Sequence, residues 1–212
     1  MAADGTVRSS LRSFVGACQL GRSGLDYALV ALYPERQITP RKTPDLARAA
    51  EVTIQRWQSA PGWEQTEWVE ANLMVCYARL LNGDLALQHL RGLIGDAAEA
   101  NLLTFSAGGV AGAVQNIYSF DGNAGGAAGI AEMLLQSDGA QIELLPALPA
   151  SWRHGSVREL RARGGFTVDL SWRDGRLDRA RIVPALTANT VVRYGDALTC
   201  LSLEAGEVAD IA

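Results

Sequence analysis

The chain has 212 residues, 48% of them hydrophobic, which is enough to bury a core as one large domain or two small ones. A formal charge of -4 with no compensating basic run leaves no field to gather phosphate backbones, so nucleic acid is not an expected partner. No stretch approaches the roughly 20 apolar residues that span a bilayer, and two histidines are too few for a histidine-built metal site.

Residues 1–29 are rich in Gly, Ser and Arg, keep no period, and are expected to form a poorly defined N-terminal segment. Within them "SFVGAC" has the look of a lipoprotein cleavage site. Arg8 and Arg12 leave no apolar segment in front of Cys18, so no signal peptide is expected. Cys18, Cys76 and Cys200 are odd in number and lack metal-ligand spacing, and they read as scattered reduced thiols.

The first clear element follows "YPERQITPRK". Thr43 suits an N-cap, Pro44 the first helical position and Asp45 the first turn, with Leu46, Ala50, Ile54 and Trp57 on one face. This pattern predicts a helix over residues 43–58, which "APGW" breaks. The run "EQTEWVEANLMVCYARLLNGD" restores helical spacing through Trp68, Leu73, Cys76, Tyr77 and Leu80, and Asn82-Gly83 is expected to close it. "LALQHLRGLI" follows within a few residues, predicting an antiparallel helical hairpin. Residues 101–120 are Gly-rich and aperiodic, a loop long enough to suggest function, and "AAGIAEMLLQS" reads as the next helix, with Met133 and Leu134 in the core.

Beyond Ser137 the period changes to two. Phe166, Val168 and Leu170 alternate with polar residues, Asp174-Gly175 supplies a two-residue hairpin turn, and "NTVVRYGDALTCLSLEAGE" adds two short strands. Trp152, Trp172 and Tyr194 are expected to pack this module. The chain is therefore α+β and multidomain, with helices over 30–140 and a small antiparallel β domain over 141–212, the junction falling near 137–150.

Between helices and strands lies "SFDGNAGGAAGIAEMLLQS", residues 119–137, with Asp121 and Asn123 ahead of a Gly-rich helix start. Three readings are open. Glycines opening a helix can bind phosphate, but Gly122, Gly125, Gly126 and Gly129 do not spell G-x-G-x-x-G and no G-K-[ST] is present. The glycines can serve packing alone, with Asp121 as an N-cap. Or Asp121 is catalytic, with Asn123 beside it and a Gly-rich floor that leaves room for a ligand, since glycoside hydrolysis needs two polar centres flanking the scissile bond.

The stretch "YSFDGNAGGAAGIAEMLLQSDGAQIELLPALPASWRHGSVRELRARGGFTVDLSWRDGRL" resembles the closing section of glycoside hydrolase family 95, the inverting α-L-fucosidase family. "ALYPERQITPRKTPDLARAA", "GWEQTEWVEANLMVCYARLLNGDLALQHL" and "NLLTFSAGGVAGAVQNIYSFDGN" extend the similarity over roughly residues 30 to 200. The resemblance implies part of an (α/α)6 catalytic toroid followed by a small C-terminal β domain. It further implies a Glu general acid and an Asn, polarised by an Asp, that activates water. Asp121 of "DGN" matches that Asp, while the proton donor and the water-activating Asn fall upstream of the aligned stretch and outside this chain. The sequence "GLDYALVALYP" also lacks the histidines that many family members carry before "LYP".

Four residues are thus candidates: Asp121 as catalytic, and Asn123, Trp63 and Glu67 as substrate-binding. Trp63, Glu64, Glu67 and Trp68 could stack on sugar faces and bind hydroxyls, or could form a tryptophan core beside a solvated charged face; Glu67 and Glu70, one turn apart, could share a face. His89 reads as a favourable contact near a helix end, and His154 as a turn residue. The resemblance implies inverting hydrolysis of terminal α-L-fucosyl or related residues, α-L-galactosides among them, with a carbohydrate partner and neither metal nor cofactor. The alternative is a catalytically inactive remnant that binds carbohydrate or protein.

Overall fold

The structure, a computed structural model, describes residues 29–63, 65–107 and 115–211. The expectations for residues 1–28, including Cys18, and for Glu64 lie outside the described residues.

Helix α1 runs Pro44–Gln58, where Pro44 lacks only an N–H that the first turn would leave unpaired. Thr43 occupies the cap position but bonds backward, its Oγ1 accepting the Thr39 amide at 2.8 Å, so it secures the entry turn and not the helix. Helix α2, Glu67–Arg79, is capped by Thr66, whose side chain accepts the Val69 amide. Asn82-Gly83 does not close this helix. Leu81, with φ of 62°, makes the break, and Asn82 caps the next one by accepting the Leu85 amide at 3.1 Å. That helix, α3, runs Gly83–Asp96.

The 101–120 segment, expected as loop, holds a small ladder. Strands β1, Phe105–Ser106, and β2, Ile117–Tyr118, pair antiparallel, and Ala98 bridges Thr104. Helix α4 then runs Phe120–Leu134, so the Gly-rich stretch expected ahead of the helix lies inside it, with Ser119 and not Asp121 at the cap position. The tail of the expected helix is strand: β3, Leu135–Ser137, begins directly after Leu134 and pairs with β4, Gln141–Leu144.

Contacts along α2 and α4 advance together. A Cβ on Gly125 would lie 2.7 Å from Ala71 Cβ, one on Gly129 would lie 2.6 Å from Met74 Sδ, and Arg79 pairs with Glu132. The two helices are therefore parallel. Glu70, near the start of α2, faces Gly92, near the end of α3, so α3 runs antiparallel to α2 as an α/α repeat requires. Leu32, Ile54, Leu73, Met74 and Met133 are fully buried in the core these helices share.

The β part consists of β5, Gly155–Ala162; β6, Phe166–Arg173; β7, Arg176–Pro184; β8, Ala188–Tyr194; β9, Ala197–Leu203; and β10, Ala209–Ile211. One sheet has the order β10-β7-β6-β5 and is antiparallel throughout. The other, β3-β4-β8-β9, departs from the antiparallel expectation because β4 and β8 pair parallel. A chain that leaves one sheet after β4, builds three strands of the other, and returns at β8 can enter in either direction. Phe166, Val168, Leu170 and Trp172 from β6 pack with Ile142, Leu144 and Val192 of the opposing sheet. Asp174 and Gly175, both at positive φ, make the two-residue turn between β6 and β7. No helix among the described residues is long and apolar enough to cross a membrane.

Candidate functional site

Because α2 and α4 run parallel, their N-termini lie at one end of the helical part, and the candidate residues gather there. Asp121 sits in the first turn of α4, exposed, with no hydrogen-bond partner among the described residues. Tyr118 and Phe120, on either side of Ser119 and within three residues of Asp121 in the chain, are 57% and 67% exposed.

Asn123, one residue past Gly122, has its amide engaged. Its Oδ1 accepts the Thr104 backbone amide at 3.0 Å and the Thr104 hydroxyl at 3.1 Å, and its Nδ2 donates to the Leu102 carbonyl at 2.7 Å. Thr104 faces Gly122 so closely that a Cβ there would lie 2.7 Å from Thr104 Cβ. Asn123 thus clamps the 102–104 segment onto the first turn of α4.

Glu67 opens α2, and although carboxylates are rarely buried it is only 4% exposed. Its Oε1 accepts the Ser106 hydroxyl at 2.6 Å, which fastens β1 to the helix start. A cavity of about 280 Å³ lies against it, bordered by Gln65, Asp96 and Phe105. Trp63 packs on the helical core as a partly buried ring, as do Trp57 and Trp68. Glu67 and Glu70 do not belong to a solvated face, since both are buried.

The Gly-rich floor expected to leave room for a ligand is closed. Gly122, Gly125, Gly126 and Gly129 face Thr104, Ala71, Leu93 and Met74, with no gap that a methyl group could enter. These glycines bring α4 against its neighbours, which is the packing reading of the stretch.

Matches to known proteins follow the same division of the chain. The glycosyl hydrolase family 95 catalytic domain matches residues 28–134, and the family's C-terminal domain matches residues 136–210. The chain belongs to glycoside hydrolase family 95. It is 39% identical over 160 residues to alpha-L-fucosidase 2 of Arabidopsis thaliana, covering 70% of this chain and 18% of that protein. It is 34% identical over 131 residues to the probable alpha-fucosidase A of Aspergillus oryzae, covering 56% of this chain and 17% of that protein. The chain therefore spans less than a fifth of the length of these curated relatives.

In this family 95 chain, sequence reasoning missed a buried polar network behind the candidate residues. Glu70 Oε2 accepts His89 Nδ1 at 2.6 Å, and Gln65 Nε2 donates to Glu70 Oε1. His89 Nε2, 3.5 Å from Gln58 Nε2, is then the acceptor face of the ring, and Gln58 Oε1 accepts the Tyr77 hydroxyl at 3.2 Å. Tyr77 and His89 stack at 5.4 Å and 5°. His89 is not near a helix end but in the middle of α3, where it is 2% exposed. The pair joins positions 19 residues apart on two helices, so no local spacing in the sequence signals it.

Proposed function

We propose that this chain forms part of an α-L-fucosidase-type glycoside hydrolase that removes terminal α-L-fucosyl or related residues with inversion. Asp121 is the carboxylate that orients the water-activating amide: hydrogen-bonded to an amide, a carboxylate makes its oxygen a better acceptor for the proton of the attacking water. Glu67 and Trp63 contribute to the sugar-binding end of the helical part. Asn123 acts by holding the 102–104 segment beside that end. The observation that carries the reading is the exposed carboxylate of Asp121, without a partner among the described residues, in the first turn of α4 on a family 95 scaffold.

The test uses a protein in which this chain is joined to the remainder of a family 95 catalytic domain, acting on an oligosaccharide with a terminal α-L-fucosyl group. Proton NMR should show β-L-fucose as the first product, as inversion demands. Asp121→Ala should lower turnover by roughly 10²–10⁴-fold, the span of an acid–base contribution, with the melting temperature unchanged. Turnover equal to wild type would remove Asp121 from the site. The second reading, a binding module without catalysis, is favoured by the exposed apolar strip of Leu102, Leu103, Ile117 and Phe120. Fucosyl-oligosaccharide binding without turnover in the joined protein would establish it.

A further inference from the structure

A second cavity, of about 180 Å³, lies at the opposite end of α2 and α4 from Asp121, at the seam between the helical and β parts. The turn before α1 supplies Arg36, Arg41 and Lys42, the end of α2 supplies Arg79, and β8 supplies Arg193. Against these five cations, the carboxylates that line the space among the described residues are Asp138 and Glu143, and Glu132 and Asp196 pair with Arg79 and Arg41 just outside it.

Three of the cations have partners. Arg41 meets the buried Glu143, with Nε at 2.9 Å and Nη2 at 2.7 Å from Oε1. Arg79 faces Glu132, Nε to Oε2 at 2.9 Å, and lies 5.3 Å from the centre of the Tyr33 ring. Lys42 lies 3.6 Å from Asp138, which also accepts the backbone amides of Ala140 and Gln141. Arg36 and Arg193 are different. Arg79 Nε and Glu132 Oε2 are buried without hydrogen-bond geometry but face each other at 2.9 Å, whereas Arg36 Nη1 and Arg193 Nε are closed off from solvent and have neither a hydrogen-bond nor an ion-pair partner among the described residues. The Arg193 Nη1 contact with the Gly195 carbonyl, at 3.4 Å, is at the limit of a hydrogen bond.

Buried donors without acceptors are rare because each keeps its desolvation cost with no return. Two of them, both on guanidinium groups and both on one cavity, share a single remedy: an anion that accepts from both. Arg36 and Arg193 come from different elements, the turn before α1 and β8, and line the same cavity. A planar carboxylate matches one guanidinium fork, whereas a tetrahedral oxyanion offers oxygens in several directions. A doubly charged ion also gains twice from the two cations left without a carboxylate, Arg36 and Arg193. The space is smaller than the ~300 Å³ at which pockets for drug-sized ligands begin, so the anionic group itself, and not an extended glycan, is what fits.

We propose that this seam is a binding site for a tetrahedral oxyanion, sulfate or phosphate, held between Arg36 and Arg193, either as the free ion or as an ester on a sugar. The ion ties the segment before α1 to β8 and so fastens the helical part to the β part. The site does not depend on the hydrolase reading.

Isothermal titration calorimetry of the 212-residue chain with sodium sulfate, sodium phosphate and galactose 6-sulfate tests this, at ionic strength held constant with chloride. Saturable one-to-one binding of sulfate and phosphate is expected. At about 100 times Kd the melting temperature should rise by roughly 5–10 °C over chloride. Tighter binding of galactose 6-sulfate than of sulfate would make an ester the ligand, and weaker binding would make it the free ion. The Arg36→Gln, Arg193→Gln double variant should lose at least about tenfold in affinity, the loss expected when charge-assisted bonds are removed. Asp138→Asn, which keeps the turn acceptor and removes a repelling charge, should tighten binding severalfold. No saturable binding by the wild type, or wild-type affinity in both variants, would overturn the proposal.

Discussion

Single side chains in this molecule divide into those that hold the candidate site and one that faces solvent from it. Asn123 makes three hydrogen bonds to the 102–104 segment, while Asp121, two residues earlier on the same helix turn, makes none among the described residues. Asn123→Ala should therefore cost about 1–3 kcal/mol, the cost of leaving the buried Thr104 without its acceptor, and should speed amide exchange at Thr104; urea denaturation and hydrogen exchange check this. The buried carboxylate of Glu70 joins Gln65 and His89, and a Cβ on Gly92 would collide with it. Glu70→Ala should destabilise by about 1–3 kcal/mol, because it leaves the buried His89 Nδ1–H without its acceptor, and a Glu70/His89 double-mutant cycle should show coupling. Additive effects in that cycle would mean that the pair does not act as a unit. The residue types of Asp121 and Asn123 were visible as candidates in "DGN", but the difference in their surroundings was not, since Thr104 and Leu102 lie some 20 positions away.

At the level of elements, glycine placement decides how closely the helices approach. Gly83 opens α3 directly under the backbone of Ala147, whose carbonyl carbon would lie 2.7 Å from an added Cβ, and backbone cannot turn aside as a side chain can. Gly95, near the end of the same helix, has open space around it. Gly83→Ala should lower stability by about 1–3 kcal/mol through overpacking, whereas Gly95→Ala should raise it by roughly 0.5–1 kcal/mol through helix propensity. Thermal melts of the two variants separate the effects. The same contrast explains why α4 starts at Phe120, ahead of the helix that the sequence predicts. Glycine propensity argues against a helix from Phe120 onward, yet α4 forms there because Ala71, Leu93 and Met74 leave no room for larger side chains. Conversely, Leu135–Ser137 follows a helical run without any breaker, and pairing with β4 turns it into strand.

Across the whole molecule, the two cores meet at Trp152, which packs on both, and Gln136, whose amide donates to the Ala78 carbonyl at 2.9 Å, links β3 to the end of α2. Global stability should be sensitive to alkali. Burial pushes the Cys76 thiol up to about 12, with Arg79 pulling the other way, and burial raises the phenols of Tyr33 and Tyr77. A group whose pKa is raised on folding contributes fully below its unfolded value and loses that contribution as pH rises toward the folded one, so stability should fall between about pH 9 and 12. Cys76→Ala should flatten that fall, measured by urea denaturation across the range; an unchanged slope would assign it to the tyrosines. The sequence by itself determined the features that depend on a few neighbouring residues: the Pro44 helix start, the apolar alternation of β6, the Asp174-Gly175 turn and the order of helices before strands. Only the tertiary structure decided that the glycine stretch is helix, that β4 and β8 run parallel, that Glu70 meets His89, and that Arg36 and Arg193 share one cavity. The physical reason is that periods and caps are written within a turn or a hairpin, whereas the identity of a buried neighbour is set by chain segments that meet only when the cores close.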